Sequence, residues 1–382
     1  MNRSTCIALC LALCAILPTL SSARVIRVGP DGDVQKISEA ARLAKDGDIV
    51  EIASGEWRGD VALWGQKQLT IRGVGGRPIL IADGKSAEGK AIWVIRNGDF
   101  MIDNIEFRGA RVADGNGAGI RFEGGKLLVR NCVFLDNQNG ILTSNNEKAE
   151  LTIESSLFAE APKQGHLLHL LYAGHIASLK ISGSRFHSGQ NAHLIKSRAR
   201  KTDIRYSLIL DGPTGTASYE VDLPNGGQAT LIGNVIGQSV ATSNPVLVAY
   251  GAEGNAWPSS SLVLSHNTFI SDGFKPAWFI RAWPKQLPAG FRVHTFNNLI
   301  SGIGLFDYGL PGIHQGNYPV WSSAFAGKDV LNFRLNSLSW LRGIVGRPSI
   351  EGLDIGPTAE FSLPIGSTER SMPEKLMPGA FQ

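Results

Sequence analysis

The chain has 382 residues, of which 45 are Gly, 43% are hydrophobic and 18% are charged, and its net charge at pH 7 is +4. So much apolar content excludes a disordered chain, glycine without a three-residue period excludes collagen, and so mild a charge excludes an electrostatic grip on nucleic acid. Excess glycine with scarce charge points instead to many tight turns and an all-β repeat fold.

Residues 1–23 read as a secretory signal peptide. Asn2 and Arg3 precede an apolar run over residues 6–17, Pro18 breaks it, and Ser21, Ser22 and Ala23 form a cleavage site. The run is too short to cross a bilayer, and no second segment reads as a membrane span. A secreted or periplasmic protein is expected. Three of the four cysteines fall inside this leader, which leaves Cys132 as a buried small hydrophobe with no internal disulfide. Next, residues 33–52 read as an N-capped amphipathic helix, a turn at Gly47 and a strand.

A phrase then recurs. It consists of β-formers, a pair drawn from Asn, Ser, Gly and Cys, and an apolar residue two further on. Its last positions are Phe107, Phe134, Phe158, Phe186, Ile209, Ile236, Phe269 and Ile300. Second short strands lie between the phrases, within 140–144, 192–197, 217–223, 245–250 and 277–283. Short strands repeating every 25 residues or so are the arithmetic of stacked coils at strand spacing, about 4.8 Å. Asn131, Asn234, Asn267 and Asn298 are expected to stack as a corner ladder. Residues 311–382 lose the period and read as a wrapping tail, so the expected division is 1–23 leader, 24–310 coils and 311–382 tail.

These repeats, with the helix and strand ahead of them, resemble right-handed parallel β-helix proteins of the pectate-lyase-like superfamily. The resemblance covers roughly residues 25–310. It implies an all-β solenoid whose N-terminal helix caps the open end of the stack. It leaves the chemistry open, because that superfamily holds lyases, hydrolases, esterases, epimerases and adhesins.

In a charge-poor chain, a charged cluster stands out. Lys196 and Glu220 are 24 residues apart, as are Arg198 and Asp222, which suggests one coil and one outward face. Tyr172 falls one coil before Lys196, and His169 one coil before His193. Tyr250, Arg281 and Trp283 follow on comparable strands as a substrate-binding set, since aromatic faces suit sugar rings.

A lyase acting on a uronate polymer must neutralise a carboxylate, remove the proton at C5 and protonate the leaving oxygen. These residue types suit that work, with Lys196 as base and Arg198 as neutraliser or proton donor. His169, His193 and Tyr172 are alternates. Glu220 and Asp222 are possible calcium ligands through their oxygens, and no other cofactor is expected. The expected partner is a polysaccharide bound by a monomer. The alternatives are a glycoside hydrolase built on Glu220 and Asp222, a C5-epimerase, a carbohydrate-binding envelope protein that does no chemistry, and a plain surface salt-bridge ladder.

Overall fold

The structure is a computed structural model that describes residues 23–163, 168–371 and 373–382. All but the last residue of the expected leader, and His166 of the histidine-rich stretch, lie outside them. The repeat is a parallel β-solenoid, in which each coil gives one strand to each of three ladders. One ladder is a separate sheet of 10 strands running from Ala62–Trp64 to Gly304–Leu305. The other two are joined in a sheet of 21 strands. Pairing between successive coils is parallel throughout, as it must be when a chain winds in one direction.

The eight recurring apolar positions form one inward column. Phe107 pairs with Phe134, and the pairing continues in order through Phe158, Phe186, Ile209, Ile236, Phe269 and Ile300. The four phenylalanines from Phe107 to Phe186 stack face to face, with centroids 5.1, 4.5 and 4.8 Å apart. Burying a large apolar side chain in every coil, aromatic in five of the eight, gives a narrow solenoid a continuous core.

The recurring pair ahead of each of these positions makes the corner, and its two members do different work. The first takes left-handed backbone: φ is +51° at Asn131, +46° at Ser155, +55° at Gly183 and +67° at Gly233. The second reaches the next coil. Asn234 Nδ2 donates to Asn267 Oδ1 at 3.0 Å, Asn267 Nδ2 to Asn298 Oδ1 at 3.1 Å, and Asn298 Nδ2 to Asn317 Oδ1 at 2.8 Å. Ser156, Ser184 and Ser207 hold the same column below them. Asn131 is therefore not a rung of the ladder. It is a first member, its amide turned to Asp103, and Cys132 stands at the ladder position. Burial pushes the Cys132 thiol up to about 12, so it stays protonated and inert.

The helix runs Ile37–Leu43, shorter than the pattern suggested. Its cap is not local. The Asp60 carboxylate, from the following strand connection, accepts the Ile37 and Ser38 N–H groups at 2.5 and 3.1 Å. At the other end, Tyr318–Val320 still pairs with Leu299–Ser301, so the ladders run past residue 310. From there Phe325, Phe333, Leu335, Leu341 and Phe361 pack over Leu208, Val235, Ile270 and Leu299, on the outside of the 21-stranded sheet. That leaves the 10-stranded sheet to carry the charged cluster. Among the described residues no helix is long and apolar enough to cross a membrane.

Candidate active site

Five strands of the 10-stranded sheet matter most: Leu171–Ala173, Ile195–Ser197, Val221–Leu223, Val246–Tyr250 and Ala277–Ala282. Their register sets Tyr172 beside Lys196, Lys196 beside Asp222, Asp222 beside Ala249, and Ala249 beside Arg281. This is one outward column. The expected partners of Lys196 and Arg198 were Glu220 and Asp222, a register two residues out. The connection over 211–219 makes this coil 26 residues long rather than 24, which moves every later residue by one full side-chain alternation.

Strand alternation also resets at the corner entering this sheet. Leu170 and Leu171 both lie in the core, as do Leu194 and Ile195, Leu247 and Val248, and Phe279 and Ile280. Glu220 and Val221 occupy the same two places one coil apart. Glu220 is thus in the interior, 0% exposed, with neither carboxylate oxygen hydrogen-bonded. Burial raises its pKa well above the ordinary value, and nearby Asp211 adds to the rise. It cannot reach the groove, so it is not a metal ligand paired with Asp222.

Tyr250 is corrected in the same way. It is 0% exposed, packs in the core and donates its hydroxyl to the Gly227 carbonyl at 2.7 Å, so it cannot stack on a sugar. Arg281 and Trp283 do lie outside. The Arg281 guanidinium sits 4.8 Å from the Trp283 ring centroid and 5.6 Å from that of Trp278. Phe279 is buried and does not share their face.

Lys196 is the hub. Its Nζ is 3.1 Å from Asp222 Oδ2 and 2.6 Å from Glu253 Oε1. The other Glu253 oxygen takes Arg198 Nη2. Arg198 also donates Nε to the Tyr172 hydroxyl at 2.9 Å and Nη1 to Asn225 Oδ1 at 2.7 Å. Asn225 in turn donates to the Gly254 carbonyl at 2.6 Å, which fixes the loop that bears Glu253. Burial disfavours the Lys196 charge, but Asp222 and Glu253 reverse that and hold its pKa above the ordinary value. In this state Lys196 is an ammonium. Burial raises Asp222 to about 6, although Lys196 opposes it.

The histidines form a second column. His193 N–H donates to His169 Nδ1 at 3.3 Å, and Tyr219 N–H to His193 Nδ1 at 3.3 Å. That assigns the His193 proton to Nε2, which points at Asp222 Oδ2 from 3.3 Å. Burial, with Lys196 and Arg198 nearby, pushes His193 down to about 3, and His169 also falls well below its ordinary value. Both are neutral near pH 7.

The sequence reading missed Glu253 and Asn225. Their signal was faint: a lone acid between Gly251 and Gly254, and a turn residue ahead of Gly226 and Gly227. What could not be read was how far a loop reaches back, since Glu253 meets Lys196 across 57 positions.

Calcium takes six to eight oxygen ligands. This groove offers two carboxylates, and cations already engage both Glu253 oxygens and Asp222 Oδ2. Among the described residues Asp222 Oδ1 has no partner. The donor set does not fit a calcium cage, and among the described residues no group of three or more His, Cys, Asp or Glu is arranged to hold a metal ion.

The chain is similar to pectate lyase Pel9A, with a TM-score of 0.64 at 13% identity, over 95% of this chain and 97% of that one. It is also similar to an alginate lyase from Paenibacillus sp. str. FPU-7, with a TM-score of 0.50 at 14% identity, over 77% of this chain and 98% of that one. The chain has the parallel β-helix fold of these polysaccharide lyases. No protein-family model and no curated protein matches it.

Proposed function

We propose that this protein is a polysaccharide lyase that cleaves a uronate-containing polymer by β-elimination. The observation that carries the reading is Glu253: Lys196 and Arg198 already hold a carboxylate between them, on an outward face of the central coils. A uronate carboxylate presents the same group, and the two fold neighbours are a pectate and an alginate lyase.

In this reading a substrate carboxylate displaces Glu253 and pairs with Arg198. Neutralising that carboxylate makes the neighbouring C5–H bond acidic. Lys196 has first lost its own proton to solvent, as desolvation and the departure of Glu253 permit, and it takes the C5 proton. The electron pair of that bond forms the C4–C5 double bond. The C4–O bond breaks, and its oxygen takes a proton from the Tyr172 hydroxyl, whose lone pair Arg198 already engages. Asp222 and His193 position Lys196.

Glu220 lies in the core, and the two carboxylates that remain in the groove, Asp222 and Glu253, are both engaged by cations, which favours a lyase over a hydrolase built on two carboxyl groups. An epimerase would use the same proton transfer and leave the chain uncut. The resemblance also makes the Ile37–Leu43 helix a cap on the first coil, and the leader-like residues 1–23 favour export.

The test is incubation with polyuronates while following ultraviolet absorbance of the unsaturated product, with calcium and with a chelator. We expect absorbance with either addition and its loss in Lys196→Ala. Reducing ends without absorbance would mark a hydrolase, and a changed C5 configuration without cleavage would mark an epimerase. Binding that Lys196→Ala leaves intact, with no product, would mark a carbohydrate-binding protein that does no chemistry.

A further inference from the structure

The outward column extends beyond the cluster in both directions. Below Tyr172 it continues through Leu142 to Arg121. Above Asp222 it continues through Ala249 to Arg281. In order it reads Arg121, Leu142, Tyr172, Lys196, Asp222, Ala249, Arg281. Cations therefore stand three strand steps on either side of Lys196, about 14 Å each way at strand spacing. The places between them are apolar, aromatic or, at Asp222, an acid engaged by Lys196.

Among the described residues neither outer arginine has a carboxylate partner. Arg121 gives Nη2 to Ser144 Oγ at 3.3 Å, and its Nε is buried without an acceptor. The Arg281 guanidinium lies over the faces of Trp278 and Trp283. A buried guanidinium N–H without an acceptor is unfavourable, and a ligand oxygen would relieve it.

We infer that Arg121 and Arg281 are the outer anchors of a track that selects a homopolymer of uronic acid over an alternating one. The inference rests on the lyase reading for what sits at Lys196. A 1,4-linked sugar unit in an extended chain advances by about one strand spacing, so one unit lies over each coil. With a uronate at Lys196 and Arg198, the units over Arg121 and Arg281 are three away. Three is odd. In a chain that alternates uronate with an uncharged amino sugar, acids recur only at even offsets, and both arginines meet a neutral unit. In a polyuronate wound as a three-fold helix every third carboxylate turns the same way, so both arginines meet one while the units over Tyr172 and Asp222 turn theirs aside. A chain that engages all three cation positions spans seven units.

The experiment measures mobility in native gels containing polyuronate, hyaluronan-type unsulfated alternating polymer, or neutral glucan, together with turnover of oligouronates of two to nine units. We expect retardation by polyuronate alone. Arg121→Ala and Arg281→Ala should each weaken it by about tenfold in affinity, equivalent to about 1.4 kcal/mol. KM should fall as oligomers grow from four to seven units, and each variant should abolish the gain on its own side. Equal retardation by the alternating polymer would overturn the inference, as would variants that bind like the parent. Retardation that depends on both arginines but yields no unsaturated product would sink the lyase reading and leave the track standing. Unsaturated product with no effect of length or of either variant would sink the track and leave the lyase.

Discussion

At the scale of single residues, Glu253 and Glu220 are two carboxylates with opposite consequences. Glu253 raises the pKa of Lys196, so Glu253→Gln should lower it. If Lys196 is the base in the free enzyme, kcat/KM rises with pH as Lys196 loses its proton, and that rise should move to lower pH in Glu253→Gln. The limb in kcat should move little, because substrate has already displaced Glu253 in the complex. Rate profiles between pH 6 and 10 would check this, and an unmoved kcat/KM limb would remove Lys196 as the base.

Glu220 stands where the coils on either side carry Leu194 and Leu247. A buried carboxyl group without a hydrogen bond costs about 1–3 kcal/mol, so Glu220→Leu should stabilise the fold by that order. Its pKa is raised in the fold, so the stability linked to its proton is present below the unfolded value and is lost as pH rises through the folded one. The gain from Glu220→Leu should therefore grow as pH rises above about 4.5, and urea unfolding at pH 4 and pH 7 reads it directly.

His266 titrates in the opposite sense. It is 0% exposed, its ring nitrogens meet Ser265 Oγ at 3.0 Å and Asn297 Nδ2 at 3.3 Å, and burial pushes it down to about 3. The unfolded chain takes up a proton near pH 6.5 that the folded one refuses. Stability is then full above that pH and falls on acidification, by up to about 1.4 kcal/mol per pH unit for this one group. His266→Asn keeps a residue that tolerates its left-handed backbone, and it should flatten the slope between pH 6.5 and pH 4 in urea titrations.

At the scale of elements, the corner is the unit that the sequence displays most openly. The eight inward positions and all five intervening strands were legible, because a coil must place an apolar residue and a turn at each return. The two roles within the corner pair were not, since Asn serves both: it accepts left-handed backbone and it stacks. That is how Asn131 reads as a rung while belonging to the turn. The difference is measurable. Asn267→Ala removes the side-chain amide that bonds Asn234, Asn298 and the Leu231 carbonyl, while the backbone bond to Asn298 stays. It should cost about 2–4 kcal/mol as several buried partners lose their bonds, whereas Asn131→Gly should be nearly neutral. Thermal unfolding of the two variants would separate them, and similar losses would contradict the assignment.

The site was legible in its residue types and not in its register. Tyr172, Lys196, His169 and His193 fall as their 24-residue spacing suggests, because the coils that join them have equal length. Asp222 sits beside Lys196 only because the next coil is two residues longer. A loop length leaves no periodic trace, and neither does the doubled inward position that draws Glu220 into the core.

At the scale of the whole molecule, the two faces are divided between tail and groove. The tail shields Leu208, Val235, Ile270 and Leu299 on the 21-stranded sheet, while the 10-stranded sheet faces outward with its cations. A chain ended after Val320 should expose that apolar strip, bind a hydrophobic dye and aggregate, with the groove residues untouched.

The cluster also has a position along the stack. Tyr172, Lys196 and Asp222 lie on the fifth, sixth and seventh of the ten groove strands. In a stack whose strands pair only with those of neighbouring coils, opening proceeds inward from the ends, and the middle coils open last. Amide protons of Ile195–Ser197 should accordingly exchange with deuterium on the timescale of global unfolding, and those of Ala62–Trp64 and Gly304–Leu305 well before. The reacting groups come from separate coils, yet they sit in the part of the molecule that keeps time with the whole fold.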